Sequence, residues 1–198
     1  MSATLDDSFL TRLATKLDEP PRYAARDAGR PAGGRSILVA SALQFGRRPE
    51  HEDLTQPSGF DPRGAALFEA IVESAFLVAT ADGTFDDDEQ RAFQHIVLAV
   101  CSGAVTEAQV ATLIFALEER LLMQGRAARL LAVSQAVAWC GHPEEVLRIA
   151  ALMAAASEGV SAVERAVLEE LARGFVLSPH VLEEALAEVQ SLRGEAAG

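Results

Sequence analysis

The sequence predicts an all-α protein, and three observations carry that prediction. Apolar residues make up 49% of the 198 residues but aromatics only 6%, so the core must be built mainly from Ala, Leu and Val. That composition suits close helix packing better than a sheet, where β-branched and aromatic side chains dominate. From Gly64 onward, apolar residues recur at helical spacings in one segment after another. Short breaks, each carrying a cap or turn residue, separate these segments. The expected architecture is a single compact bundle of about seven helices, preceded by a partly irregular N-terminal extension.

Residues 1–63 form that extension. "SFLTRLATKL" places apolar residues at 9, 10, 13 and 17 and reads as a short amphipathic helix. "DEPPRYAARDAGRPAGGR" is rich in Pro, Gly and Arg and reads as a linker. "SILVASALQFG" is a brief apolar segment, expected to dock on the main domain rather than build a core of its own. Residues 64–192 are expected to form the helical domain and to fold alone, with 193–198 as a flexible tail.

Within the domain, "AALFEAIVESAFLVATA" is apolar nearly all round and should be a central buried helix. A turn at Gly83 leads into "DDDEQRAFQHIVLAVC". "TEAQVATLIFALEERLLMQG" starts at Thr106, a good N-cap, and stops near Gly125. "RAARLLAVSQAVAWCG" ends at Gly141 and carries Trp139, expected to pack at a helix–helix seam. "PEEVLRIAALMAAAS" opens with proline and two glutamates in its first turn. "SAVERAVLEELARGF" shows the capping-box pair Ser161 and Glu164, and "SPHVLEEALAEVQSLR" completes the seven.

Charge is unevenly distributed. Residues 1–63 hold nine basic and nine acidic side chains, whereas 64–198 hold eight and twenty, so the whole net charge of −12 lies in the second part. Such a surface repels nucleic-acid phosphates and favours cations or a basic protein partner. Cys101 and Cys140 lack metal or redox spacing and read as reduced, half-buried thiols of a cytoplasmic protein. No leader pattern and no membrane-spanning apolar run stand out. "GRPAGGRS" lacks both the lysine and the strand that a phosphate loop needs, and reads as linker. "HPEE" reads as a helix start. His51, His95, His142 and His180 are too scattered for a metal motif. No nucleophile–base arrangement suggests an enzyme.

Sliding the chain by 75 residues lays "LVATADGTFDDDEQRAFQHI" on "LMAAASEGVSAVERAVLEEL" without a gap. Leu77 falls on Leu152, Phe85 on Val160, Glu89 on Glu164 and Ile96 on Leu171. The shared frame suggests an internal duplication and two pseudo-symmetric halves. Ala81, Asp82, Gly83, Phe85 and Glu89, followed by the weaker copy "AAASEGVSAVERAVL", resemble the TerB-like domains of tellurite-resistance operons and of DjlA-type co-chaperones. The resemblance covers about residues 64–192. It implies a helical bundle of two related halves, no enzymatic activity, a role in tellurite or related stress responses, and an acidic metal site. The second copy has Ser157 and Glu158 where the first has Asp82 and Gly83, a departure from a symmetric two-site arrangement.

The acidic cluster is therefore the candidate site. An EF-hand reading fails: with Gly83 at loop position 6, positions 1 and 3 are Val78 and Thr80, at the end of an apolar helix. A looser oxygen site for Ca²⁺ or Mg²⁺ remains open, built from Asp82, Asp86 and Glu89, with Glu158 and Glu164 as its weaker second copy. The spacing favours a metal-free reading, in which Asp86 caps the following helix with Glu89 as its capping-box partner. On that reading the chain is an acidic protein–protein adaptor.

Overall fold

In a computed structural model, residues 7–20, 36–48, 59–83, 85–101, 103–155 and 159–194 are described, and all their regular structure is helical. The helices are α1 (Asp7–Asp18), α2 (Ile37–Gly46), α3 (Pro62–Ala79), α4 (Asp87–Cys101) and α5 (Glu107–Gln124), followed by α6 (Arg126–Cys140), α7 (Pro143–Ala154), α8 (Ala162–Gly174) and α9 (Pro179–Gly194). The seven expected helices are α3 to α9. Most of the linker and of the polar stretch before Phe60 lies outside the described residues. No helix among those described is long and apolar enough to cross a membrane.

α3 is the central element. Asp61 caps its first turn, accepting from the Arg63 backbone N–H at 2.9 Å, with Pro62 in the first helical position. Beyond that turn nearly every side chain is buried, because α2, α6 and α7 pack against it. The brief apolar segment before it is helical in full and inserts Leu38, Ala42 and Phe45 into the same core. Phe45 lies against Phe68 of α3 with ring centroids 4.9 Å apart. α1 adds Phe9, Leu13 and Leu17. Both helices of the N-terminal extension thus share the core of the bundle, and α3 starts two residues before Gly64.

Helix ends recur at the spacing at which the two sequence segments align. α3 ends at Ala79 and α7 at Ala154, while α4 begins at Asp87 and α8 at Ala162, each pair 75 residues apart. The terminal turns also correspond. The Thr80 N–H donates to the Phe76 and Val78 carbonyls, and the Ala155 N–H to those of Ala151 and Met153.

A polar cluster around Arg148 lies inside the protein. Arg148 of α7 donates to Glu145 at 2.6 Å, to both carboxylate oxygens of Glu188 on α9 at 2.8 Å, and to the Lys16 backbone carbonyl of α1 at 3.2 Å. Burial works against the guanidinium charge, but the bonds and charges of Glu188 and Glu145 more than reverse this and raise its pKa. The cluster ties α1, α7 and α9 together.

Candidate functional site

The acidic turn joins α3 to α4. α3 stops where the Thr80 hydroxyl turns back to the Phe76 carbonyl at 2.9 Å. Gly83, with a backbone N–H bonded to the Thr80 carbonyl, takes a φ of +88°, a conformation that glycine reaches without strain. Phe85 returns the chain to the core. Its ring meets Phe76 and Phe93 edge-on, at centroid distances of 5.2 and 6.1 Å. The turn is therefore held by an aromatic anchor on one side and leaves its carboxylates on the other.

Asp86 and Glu89 form a reciprocal cap on α4. Asp86 Oδ1 accepts from the Asp88 and Glu89 backbone N–H groups at 2.9 Å each, and Glu89 Oε2 accepts from the Asp86 N–H at 3.1 Å. The second copy repeats this. Ser161 Oγ accepts from the Glu164 N–H at 3.3 Å, and Glu164 Oε2 from the Ser161 N–H at 2.7 Å. The glutamate shared by the two segments thus has the same structural task in each, closing the first turn of the helix it begins.

Asp82, Asp86, Asp87, Asp88 and Glu89 are all exposed. Asp88 pairs with Arg91 one turn on at 2.6 Å. The structure brings Asp86 and Glu89 together in the cap of α4, and Asp82 precedes the Gly83 turn in the chain. Glu158 lies outside the described residues, and Glu164 is occupied in its own cap. Among the described residues no three His, Cys, Asp or Glu side chains are grouped to hold a metal ion. The carbonyl end of α3 is already engaged: Arg126, the first residue of α6, donates to the Ala81 carbonyl at 2.9 Å and to that of Thr80. A guanidinium therefore stands where a cation would otherwise meet the helix's negative end.

Two further features were missed at the level of sequence. One is the buried Arg148 cluster. The other is the outer face of α5 and α6, where Trp139 is 56% exposed rather than packed in a seam. The expectation of a buried tryptophan is therefore corrected. α6 turns Val133, Val137 and Cys140 inward, and Trp139 falls on the opposite side of the wheel. A usable signal was present: α6 has no charged residue after Arg129, so it carries more apolar surface than one buried face requires. Cys101 and Cys140 are both buried rather than half-buried, and burial pushes the Cys101 thiol up to about 12. Comparison of the chain with protein-family models, curated proteins and solved structures finds no match.

Proposed function

We propose that this chain is a non-enzymatic cytoplasmic adaptor that offers an acidic surface to a basic protein partner. By its resemblance to TerB-like domains, it would act in a tellurite or related stress response. The supporting observation is the α3–α4 turn, where five exposed carboxylates follow one another around Gly83. The caps that Asp86 and Glu89 make are to backbone N–H groups, so their negative charge stays at the surface. Desolvating such a cluster against Lys and Arg side chains gives charge-assisted bonds and steers encounter.

The test is fluorescence anisotropy with a labelled Lys/Arg-rich peptide, titrated with the full-length protein at rising salt. Binding that weakens steeply with salt and is lost in an Asp82→Asn, Asp87→Asn, Asp88→Asn variant is the expected result. Equal binding by the variant would remove the turn from the interaction. The resemblance also implies Ca²⁺ or Mg²⁺ for the same turn, and the position of Asp82, Asp86 and Glu89 around one glycine keeps that reading in play. Calorimetric titration with each ion separates the two ligand classes.

A further inference from the structure

Large apolar side chains with most of their surface exposed are concentrated on two consecutive helices. Phe115, Leu122 and Met123 lie on α5, Leu131 and Trp139 on α6, and among the described residues only Val163 and Val176 lie elsewhere. A single residue, Gly125, joins the two helices, so Leu122 and Met123 sit at the tip where α6 begins.

The outer face of α6 is also uncharged. Its exposed residues are Ala127, Ala128, Leu131, Gln135, Ala138 and Trp139. At 100° per residue they fall within about 120° of the helix wheel, one continuous stripe. The two cations of α6 are drawn inward: Arg126 to the end of α3, and Arg129 to both oxygens of Glu73, at 2.6 and 2.9 Å. The exposed faces of α4, α8 and α9 contrast with this. They carry Asp87, Asp88 and Glu89, then Arg165, Glu170 and Arg173, then Glu183 and Glu184.

We infer that the outer face of α6, extended by the α5 residues at its tip, is a self-association surface covered by the same face of a second copy of this chain. Charge selects that occupant. The exposed residues of α6 include no charged side chain, in a chain of net charge −12. A second copy brings the same −12 and is repelled over the acidic surfaces, but not here. A basic partner is steered to the carboxylates and finds none on α6. An uncharged face that meets itself about a two-fold axis needs no complementary partner charge.

The size also fits. Leu122, Met123, Leu131, Trp139 and the exposed alanines of the stripe expose on the order of 700 Å² per chain, close to the ~800 Å² per partner of a standard interface. The face is continuous with the end of α8. A Cβ on Gly174 would lie 2.2 Å from the Ser134 hydroxyl of α6, so the two helices touch there.

This inference does not rest on the acidic turn, and its test leaves that turn unaltered. Sedimentation equilibrium of the full-length protein is measured from low to high micromolar concentration, beside emission from Trp139, the sole tryptophan. The expected result is a dimer whose emission moves to the red on dilution as the ring loses its cover. Leu131→Glu and Trp139→Glu should each raise the dissociation constant at least 100-fold with unchanged circular dichroism, and Val163→Glu on α8 should not. A wild type that stays monomeric overturns the inference and leaves the face to a chain of another sequence. A dimer that survives both glutamate substitutions overturns it as well, by placing the interface elsewhere.

Discussion

Arg148 and Glu188 form a two-pronged ion pair inside the protein, Nε and one Nη each donating to a separate carboxylate oxygen at 2.8 Å, with both side chains 3% exposed. Forty residues separate them, and the pair fixes α7 to α9. Glu188→Ala should destabilise the protein by about 3–5 kcal/mol, because it leaves a buried guanidinium with Glu145 at 2.6 Å and only the half-exposed Glu19, at 3.9 Å, to balance it. Replacing Arg148, Glu145 and Glu188 together by apolar residues of similar volume should come close to neutral. Urea unfolding of the two variants checks both. A single substitution below about 1 kcal/mol would mean that water reaches the cluster.

Asp86 is predicted to act through backbone, not metal. Asp86→Ala should lower stability by about 0.5–2 kcal/mol in EDTA, the usual loss of a helix cap, and Ser161→Ala should do the same in the second segment. Asp82→Asn should stay within about 0.5 kcal/mol, since it makes no cap on α4. Denaturant melts in EDTA measure all three. A rise in melting temperature with Ca²⁺ or Mg²⁺ that Asp82→Asn removes would show that the turn also binds the ion.

Val176 takes a φ of +59° just past the end of α8, where helices usually place glycine. Its N–H bonds to the Arg173 carbonyl and that of Leu177 to the Ala172 carbonyl, the pair of bonds that closes a Schellman turn. A β-branched side chain is strained in this region by roughly 1–2 kcal/mol. Val176→Gly should therefore raise the stability of the monomer, by up to about 1 kcal/mol once glycine's extra unfolded-state freedom is counted. A destabilised variant would mean that the valine side chain makes a contact worth more than the strain.

The Cys101 thiol should shape the alkaline limb of stability. Its folded pKa is about 12 against an ordinary 9.0, with desolvation as the cause. Below pH 9 both states hold the proton and stability is flat. Between 9 and 12 only the folded state holds it, so stability falls as pH rises, by about 1.4 kcal/mol per unit. Cys101→Ala should flatten this limb in melts run from pH 8 to 11. An unchanged slope would assign the alkaline loss to another group.

Removing α1 and α2 should cost the bundle its cooperativity. Residues 61–194 retain every element from α3 onward, yet they expose the side of α3 that carries Phe68. The expected result is a fragment that binds a hydrophobic dye and melts broadly, whereas the full-length chain does not. A sharply melting fragment would restore the sequence-based expectation that the domain from Gly64 folds alone.

The helices from α3 onward were legible because their signals are local. Thr106, the pair Ser161 and Glu164, and Pro143 each announce a helix start within one turn, and each start is found there. The Gly83 turn was equally plain. That α2 docks on the main domain could be read from its apolar run, but seven apolar residues among ten do not say which helix they cover. Glu145 and Arg148 give no sign of a buried cluster in the sequence, because their partner Glu188 lies in another helix. Trp139 misled because hydrophobicity reports a preference for burial, and the geometry of α6 decides which side is inside. For the acidic turn, sequence left capping and cation binding both open; the hydrogen bonds of Asp86 and Glu89 are the part that coordinates add.

α3 also places a demand on the order of synthesis. Its side chains are buried on almost every side, so a nascent chain that has reached Ala79 holds an apolar helix whose later neighbours, α6 and α7, do not yet exist. The 75 residues from Ala79 to Ala154 take about 4–15 s to add at ordinary elongation rates. α2 is made before α3 and packs directly against it. The N-terminal extension can thus shield α3 on the ribosome, holding a hydrophobic helix out of aggregation until the rest of the bundle arrives.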